Sequence, residues 1–329
     1  MRRPGEVDPT TVGMVIVSSD SIESRLMKKA QAWADAAVPV VGLYDGLPAG
    51  PYDGSHDGMF ERLAAGETRA LTDEEVGEFA VVKRIGSAPG RAAGDTMPVP
   101  PRGARSGYDG PDEWYLRGGR AIAQTVLAAC QRHVGAAAAG APPRDILEWG
   151  CSSGRVLRHF PELVPGSRCW GCDIDAWSVN WAAANLVPPL KVFRSTTSPS
   201  LPLEAGSFDL VYAISVFTHL SDHFDAWLME LRRVLRPGGF LFVSINDEHV
   251  WNLCGREPGH YIAQLCPRLD FSRPMEDDFV THGLGAHAQS FWHTRGVRRR
   301  WSFAMDVVEI VPASIDGVQT GVLLRRPLV

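Results

Sequence analysis

The stretch LEWGCSSGR, residues 147–155, is an apolar run that reaches a glycine turn and continues as a helical pattern. From residue 145 to residue 245, apolar strand-like runs alternate with helical patterns in the same way. Such alternation is typical of a parallel sheet covered by helices on both faces, so the sequence predicts an α/β fold. The predicted strands are Asp145–Trp149, Arg168–Ile174, Lys191–Arg194, Phe208–Ile214 and Phe240–Ile245, and the predicted helices are Trp114–Val134, Arg155–Leu163, Ala176–Leu186 and Asp222–Leu235.

The last of these helices has the clearest pattern. Its apolar residues recur at helical spacing, at Phe224, Trp227, Leu228, Leu231 and Leu235. Ser221 is the predicted N-cap, because a serine hydroxyl can accept a hydrogen bond from a free amide of the first turn. The Pro-Gly-Gly sequence at 237–239 is predicted to end the helix.

A Gly/Pro-rich segment, residues 86–103, is predicted to be a linker. It separates an N-terminal extension, residues 1–95, to which no role is assigned, from a main domain, residues 96–329. The extension has two strand-like runs, Met14–Val17 and Val38–Leu43, on either side of a helical pattern, Ile22–Ala36.

The main domain has two further features after residue 247. Residues 248–295 contain scattered histidine, tryptophan and proline, and long irregular segments of this kind are usually binding loops, so a lid-like insertion is predicted there. The runs Met305–Val311 and Val318–Arg326 are joined by a short Pro/Gly/Asp connection, which predicts an antiparallel hairpin.

Composition excludes several classes of function. The formal net charge of -5 argues against a nucleic-acid-binding surface, and the basic run Arg295–Arg300 is interpreted as a solvated helix face. The first residues have no apolar core behind their arginines, and no run approaches the ~20 apolar residues of a membrane span. We therefore expect a soluble, cytoplasmic protein. Cys169 and Cys172 are interpreted as buried small apolar residues of a strand.

The glycine turn does not match the two commonest phosphate-binding patterns. A dinucleotide turn has the form GxGxxG, and counting from Gly150 the second and third glycines are replaced by Ser152 and Arg155. A phosphate loop requires a lysine directly after its last glycine, and Gly154 is followed by arginine. The turn is therefore expected to bind a ligand without a pyrophosphate.

Two carboxylates indicate what that ligand contains. Glu148 lies at the carboxyl end of the first strand, where it suits an ammonium group better than a pyrophosphate. Asp173 ends the second strand, where an acid can accept both hydrogen bonds of a ribose diol. A ligand with a ribose, an amine and no phosphate fits S-adenosylmethionine (SAM).

At this point the chain resembles the class I SAM-dependent methyltransferases. The segments that resemble this family's motifs are LEWGCSSGRVLRHF, GCDIDAWSVNWAAAN, SFDLVYAISVFTHL and LRRVLRPGGFLFVS, in this order between about residues 144 and 246. The resemblance implies a Rossmann-like sheet of seven strands, parallel except for one antiparallel strand. It also implies SAM as cofactor and S-adenosylhomocysteine as its product.

The resemblance further implies roles for individual residues. The residues at the methionine end of SAM would be Glu148, Gly150, Cys151 and Gly154; the ribose and adenine contacts would be Asp173 and Ile174; the turn that faces the sulfonium would contain Ala213 and Ser215; and Tyr115 and Gly119 would lie on a helix that closes over SAM.

Two positions depart from the family's pattern. Ser152 stands where the middle glycine of the first motif is usual, which tightens the turn. The acid that often follows the third strand and binds the adenine amine is absent from STTSPSLPL, and Thr197 or Ser198 is expected to substitute for it.

His219, in SVFTHL after the fourth strand, is the candidate general base, because histidine titrates near neutral pH. The alternative is a structural hydrogen bond in the same turn. His219 and His223 are four residues apart, but a helix that starts at Ser221 places them on different faces, so no metal site is predicted. Aromatic and histidine side chains of the insertion are candidates to line an acceptor pocket, namely His249, Trp251, Tyr261, His282, His287, Trp292 and His293.

The SVFTHL and WLMELRRVLRPGG segments resemble bacterial methyltransferases of polysaccharide and specialised-metabolite pathways. That resemblance implies a methyl transfer to a hydroxyl of a small molecule or saccharide. Two alternatives stay open: an N-methyltransferase acting on an amine, and a SAM-binding partner module without turnover. A dehydrogenase is disfavoured by the failed GxGxxG pattern, and a homo-oligomer is left open.

Overall fold

The computed structural model describes residues 15–17, 40–42, 97–133, 142–186, 190–283 and 288–328. The chain divides into two units, Met1–Phe79 and Ala80–Val329. In the first unit, strands β1 (Val15–Val17) and β2 (Val40–Gly42) pair in parallel. The predicted helix Ile22–Ala36 and the predicted domain boundary near residue 95 lie outside the described residues, so both stay predictions.

The described part of the second unit alternates helices and strands as far as residue 245 and ends in a hairpin. Its helices are α1 (Asp112–His133), α2 (Phe160–Leu163), α3 (Ala176–Asn185), α4 (Phe224–Val234), α5 (Glu248–Arg256), α6 (Tyr261–Leu265) and α7 (Thr294–Trp301). Its strands are β3 (Asp145–Trp149), β4 (Arg168–Asp173), β5 (Leu190–Arg194), β6 (Phe208–Ala213), β7 (Leu235–Ile245), β8 (Phe279–His282), β9 (Gln289–Trp292), β10 (Asp306–Ile315) and β11 (Gln319–Arg325).

Seven strands form one sheet in the order β10-β11-β7-β6-β3-β4-β5. The four pairings among the five strands from β7 to β5 are parallel, whereas β11 is antiparallel to both of its neighbours, β7 and β10. The predicted fold class, a Rossmann-like sheet with one antiparallel strand and a terminal hairpin, is confirmed. The chain runs from β3 outward to β5 and then returns to β6 on the other side of β3, which places the topological switch point beside the glycine turn.

The position of β3 follows from its composition. All five of its residues are buried, as expected of a strand covered on both faces. One core contains Leu147, Trp149, Trp227 and Trp301, and the other contains Ile146, Leu157, Phe160 and Val126. The carboxyl ends of β3, β4 and β6 therefore meet at one edge of a rigid sheet, where a crevice for a ligand is expected.

Helix α4 differs from its prediction at both ends. It begins at Phe224 and not at Asp222, because His223 is left-handed (φ +53°) and caps the helix without a side-chain hydrogen bond. The prediction of Ser221 as N-cap was wrong. At the other end, Leu235 pairs with Phe208, so β7 starts before Pro237 and the Pro-Gly-Gly sequence lies in an irregular part of the strand.

Regular α-helix after the glycine turn also begins later in the chain than predicted. A 3-10 turn, Leu157–His159, precedes α2, so regular α-helix is confined to the last four residues of the predicted Arg155–Leu163 helix.

The segment 248–295 is more regular than its sequence suggests. It contains α5, α6, the antiparallel pair β8–β9 and the start of α7. Val250, Trp251, Cys254, Ile262 and Phe291 form a core cluster of their own, which explains the scattered aromatic residues as packing residues. None of the helices described is long and apolar enough to cross a membrane.

Candidate active site

The glycine turn is fixed at the carboxyl edge of the sheet by β4. The amides of Gly150 and Cys151 both donate to the carbonyl oxygen of Cys172, at 2.7 and 3.0 Å. Gly150 and Gly154 are left-handed, with φ of +80° and +78°. A Cβ at Gly150 would overlap Cγ2 of Val216 in the turn after β6. Gly150 is therefore required both by its backbone angle and by the close approach of the neighbouring turn.

Ser152 occupies the position where a glycine is usual, and its backbone is left-handed (φ +45°). Its amide donates to Oδ2 of Asp173 at 2.7 Å, and its hydroxyl is 2.7 Å from that of Ser106. The other carboxylate oxygen of Asp173 accepts from the amide of Asp175 at 2.9 Å. These bonds hold the Asp173 carboxylate against the turn and leave lone pairs on both oxygens.

Apolar surface lies directly beyond Asp173. The side chains of Ile174 and Trp177 are 42% and 46% exposed, so they offer apolar surface on which a base could pack. Thr197, the predicted substitute for the missing acid, is exposed in the segment after β5. A carboxylate for a diol beside an exposed apolar surface, in a turn without a phosphate-binding lysine, fits a nucleoside without phosphates.

Glu148 lies beneath the turn and is only 3% exposed. The hydroxyl of Tyr212 donates to its Oε2 at 3.0 Å. Burial raises the pKa of Glu148 to about 8, and the Tyr212 hydroxyl and the Leu157 amide offset only part of that effect. The carboxyl is therefore poised between its neutral and charged forms near neutral pH, and a ligand ammonium at this place would favour the charged form.

The raised pKa of Glu148 leads to a prediction about the stability of the fold. Because the folded protein holds the Glu148 proton more tightly than the unfolded chain does, the carboxyl destabilises the fold as the pH rises from about 5 to 8. We expect the stability of Glu148→Gln, which keeps the Tyr212 contact and stays neutral, to rise relative to that of the wild type between pH 5.5 and pH 8.5. The rise should be on the order of a few kcal/mol. Thermal unfolding of the ligand-free proteins across this range measures this rise.

The matched control is Glu230→Gln. Desolvation of Glu230 is outweighed by Arg233 and the Leu201 amide, so its pKa is lowered and the carboxyl titrates below this pH window. Its difference from the wild type should be constant between pH 5.5 and 8.5. A constant difference for Glu148→Gln as well would contradict the assignment.

Residues predicted near the sulfonium lie in the turn after β6. Ala213 is the buried last residue of that strand, and Ser215 is left-handed (φ +58°). The amide of Ser215 donates to Oγ of Ser244 at 2.7 Å, and its hydroxyl donates to Gln319 at 3.1 Å. These bonds tie the turn to β7 and β11 at the same edge of the sheet.

His219 follows in the same turn and is half-buried. Its Nδ1 lies 2.8 Å from the carbonyl oxygen of Ala288. A carbonyl only accepts, so the Ala288 contact requires the proton on Nδ1, whereas the side-chain nitrogen of Gln289 makes a longer contact of 3.3 Å to the same Nδ1. With Nδ1 protonated, the neutral ring has its lone pair on Nε2. This tautomer is the one that a general base at Nε2 requires.

The structure places the other predicted residues around the turn. Helix α1 packs on it at Gly119, where a Cβ would overlap the carbonyl oxygen of Arg155. The hydroxyl of Tyr115 is 3.1 Å from that of Ser153. Cys151 is buried with its Sγ toward Gly171, so only its backbone is available to a ligand in the crevice.

Several candidates from the insertion lie elsewhere. Trp292 is fully buried in the main core, and Trp251 packs in the core of the insertion. His293 caps α7, and His287 lies outside the described residues. Tyr261 is exposed but interacts electrostatically with Tyr108 and Asp316, so it lies near the candidate site. Among the residues that the structure describes, no three His, Cys, Asp or Glu side chains are grouped so as to hold a metal ion.

Sequence reasoning missed Arg155 and Tyr108. The guanidinium carbon of Arg155 lies 3.7 Å from the centre of the Tyr108 ring, and the arginine is 5% exposed. Its place directly after Gly154 could have indicated Arg155 as a site residue. Tyr108 precedes it by 47 residues in an irregular segment, and no local pattern indicates that contact.

Comparison with known proteins agrees with this geometry. Residues 147–243 match the model of the "Methyltransferase domain" family. The chain is 31% identical over 102 residues to a malonyl-[acyl-carrier protein] O-methyltransferase of Hahella chejuensis. The aligned region covers 31% of this chain and 36% of that protein. The chain is 29% identical over 112 residues to a fatty-acid O-methyltransferase of Mycolicibacterium smegmatis, covering 34% and 40% of the two chains.

The match therefore spans well under half the length of these curated relatives. Among solved structures, a SAM-dependent methyltransferase from Aquifex aeolicus is similar with a TM-score of 0.44 at 14% identity, over 68% of this chain and 97% of that chain.

Proposed function

We propose that this chain, whose residues 147–243 match the methyltransferase-domain family and whose sheet has the corresponding strand order, transfers a methyl group from SAM to an oxygen atom of a small-molecule or lipid-type acceptor. The observation that carries this proposal is the joint position of the glycine turn and Asp173. Both lie at the carboxyl edge beside the switch point, and the Ser152 amide links them at 2.7 Å.

The residues that would hold SAM follow from the site. Asp173 would accept the ribose hydroxyls, Ile174 would pack on the adenine, and the backbone of Gly150 to Gly154 would line the methionine end. When bound there, SAM supplies a methyl group activated by a positively charged sulfur. The protein's own contribution is to align the acceptor and to remove its proton.

His219 is suited to remove that proton. When its Nδ1–H donates to the Ala288 carbonyl, which orients the ring, Nε2 is the ring nitrogen that would accept the proton. A hydroxyl acceptor needs this base, whereas a carboxylic acid is already ionised near neutral pH. The two O-methyltransferases among the relatives support an oxygen acceptor over an amine.

The experiment that tests this function has two stages. Calorimetric titration with SAM and S-adenosylhomocysteine measures cofactor binding, with NADH as the negative control. Mass spectrometry then measures methylation of a panel containing fatty acids, phenols, saccharides and amines. Micromolar binding followed by methylation of an oxygen is expected. Binding without any turnover would favour a SAM-binding partner module, and methylation confined to amines would contradict the oxygen acceptor.

A variant of Asp173 tests the cofactor site directly. Asp173→Asn keeps an oxygen for the Ser152 amide but loses the charge and half of the acceptor capacity. We expect a loss of SAM affinity of at least tenfold, from the weakened ribose hydrogen bonds (~1.5–3 kcal/mol). Calorimetry measures the loss, and Asp175→Asn, which removes a charge two residues away and keeps an N-cap side chain for α3, serves as the control. Equal SAM affinity in the Asp173 variant and the wild type would remove the ribose assignment.

A further inference from the structure

The guanidinium of Arg155 is buried without hydrogen bonds on one of its edges. Its Nε and Nη2 atoms are fully covered, and neither has a hydrogen-bond partner. These two nitrogens form the edge of the fork with which arginine binds a carboxylate through two parallel bonds. Two other arginines show that arrangement: Arg132 on Glu309 and Arg168 on Asp145, each through Nε and Nη2.

The surroundings of Arg155 offer it little compensation. The rings of Tyr108 and Trp114 lie 3.7 and 5.6 Å from its guanidinium carbon. Oδ2 of Asp316, in the turn between β10 and β11, is 3.9 Å from Nη2, which is beyond hydrogen-bonding distance. Aromatic stacking stabilises the cation in part, but leaving its fork buried without a hydrogen bond is costly.

The fork of Arg155 lies beside the glycine turn of the candidate active site. Arg155 directly follows the last glycine of the turn, and its Nη2 lies against Gly118 of α1. Tyr108, which stacks on the guanidinium, also lies beside Ser215 in the turn after β6. The unbonded edge is thus enclosed between the glycine turn, α1 and the end of the hairpin, all at the carboxyl edge of the sheet.

We propose that Arg155 is the carboxylate-binding residue of this site and that its Nε/Nη2 edge receives a carboxylate of a bound ligand. The proposal rests on the proposed function. A carboxylate fits better than a phosphate, because the fork is planar and Glu148 and Asp316 lie nearby, so a second negative charge would be repelled. Two ligands would carry such a carboxylate: SAM, at its amino-acid end, and an acidic acceptor.

The test compares ligands with and without the carboxylate. S-Adenosylhomocysteine has an amino-acid end, whereas 5′-methylthioadenosine has the same nucleoside and thioether without it. Dodecanoate and dodecanol, titrated in the presence of S-adenosylhomocysteine, form the second pair. Binding of all four to the wild type, Arg155→Gln and Arg155→Lys is measured by calorimetry. Arg117→Gln, an arginine of α1 whose side chain is 74% exposed, is the control and should match the wild type.

We expect Arg155→Gln to weaken at least one carboxylate ligand tenfold or more and to leave its neutral partner within twofold. Loss confined to S-adenosylhomocysteine assigns the fork to the amino-acid end of the cofactor, and loss confined to dodecanoate assigns it to the acceptor. Arg155→Lys, which keeps the charge without the planar fork, should show a smaller loss on the same ligand. An Arg155→Gln protein whose carboxylate ligands all bind as they do to the wild type overturns the proposal.

Thermal unfolding separates this role from a structural one. Because the fork has no hydrogen-bond partner in the ligand-free protein, and the stack on Tyr108 offsets only part of the cost of burying the cation, Arg155→Gln is expected to change the unfolding temperature little. The stabilisation by S-adenosylhomocysteine or dodecanoate should be smaller in the variant. A lowered unfolding temperature with unchanged ligand stabilisation would assign Arg155 to packing alone. A wild type that binds neither nucleoside contradicts the proposed function itself.

Discussion

Replacing His219 with alanine is expected to lower the turnover of a hydroxyl acceptor by about 10²–10⁴-fold, the usual contribution of a general base. Affinity for SAM should change little, because the Nδ1 contact of His219 is to Ala288 and not to the glycine turn. Turnover of a carboxylic-acid acceptor should fall much less, since that acceptor has no proton to lose near neutral pH. Single-turnover rates and SAM affinity, measured side by side, check the prediction.

Two further variants separate catalysis from structure. His219→Gln retains an amide N–H for the Ala288 carbonyl but has no basic nitrogen, so it should be as slow as the alanine variant. If His219→Gln instead recovers full turnover, His219 is a structural hydrogen-bonding residue. His223→Asn is the matched control, because His223 is exposed, lies four residues away and is left-handed, a conformation that asparagine tolerates. It should have the turnover of the wild type.

The second large effect is expected for Gly150→Ala. The substitution places a Cβ on a backbone with φ +80° and drives it into Cγ2 of Val216. The backbone strain costs ~1–2 kcal/mol and the overlap a further ~1–3 kcal/mol. Because relief requires the glycine turn and the turn after β6 to separate, SAM affinity should fall by at least tenfold. Thermal unfolding and calorimetry measure the two losses.

Gly166→Ala isolates the backbone part of that effect. Gly166 has nearly the same angle, φ +83°, but nothing lies within 4 Å of its Cβ position. It should show the strain cost alone, with unchanged SAM affinity. Gly150→Ala behaving like Gly166→Ala would mean that the contact with Val216 is not needed to shape the site.

Most of the fold could be predicted because it depends on local periodicity. The bounds of β3 were predicted to the residue, and those of β4, β5, β6 and α3 to within one residue. The errors lie where long-range pairing outweighs local preference. Pairing of Leu235 with Phe208 draws the Pro-Gly-Gly sequence into β7, and the left-handed His223 delays α4. In residues 248–295, short helices with their own core replace the expected irregular backbone, and the role of this segment as a lid stays a prediction.

The same distinction between local patterns and long-range contacts applies to the candidate site. The sequence by itself determined the order of strands, the glycine turn and the carboxylates at the ends of β3 and β4, since strand ends and turn glycines follow from short-range patterns and parallel strands align their ends. Only the tertiary structure decided how those groups behave: the raised pKa of Glu148, the tautomer of His219 and the unbonded fork of Arg155. Each depends on burial or on partners distant in the chain, at Tyr212, Ala288 and Tyr108, and no local pattern encodes such contacts.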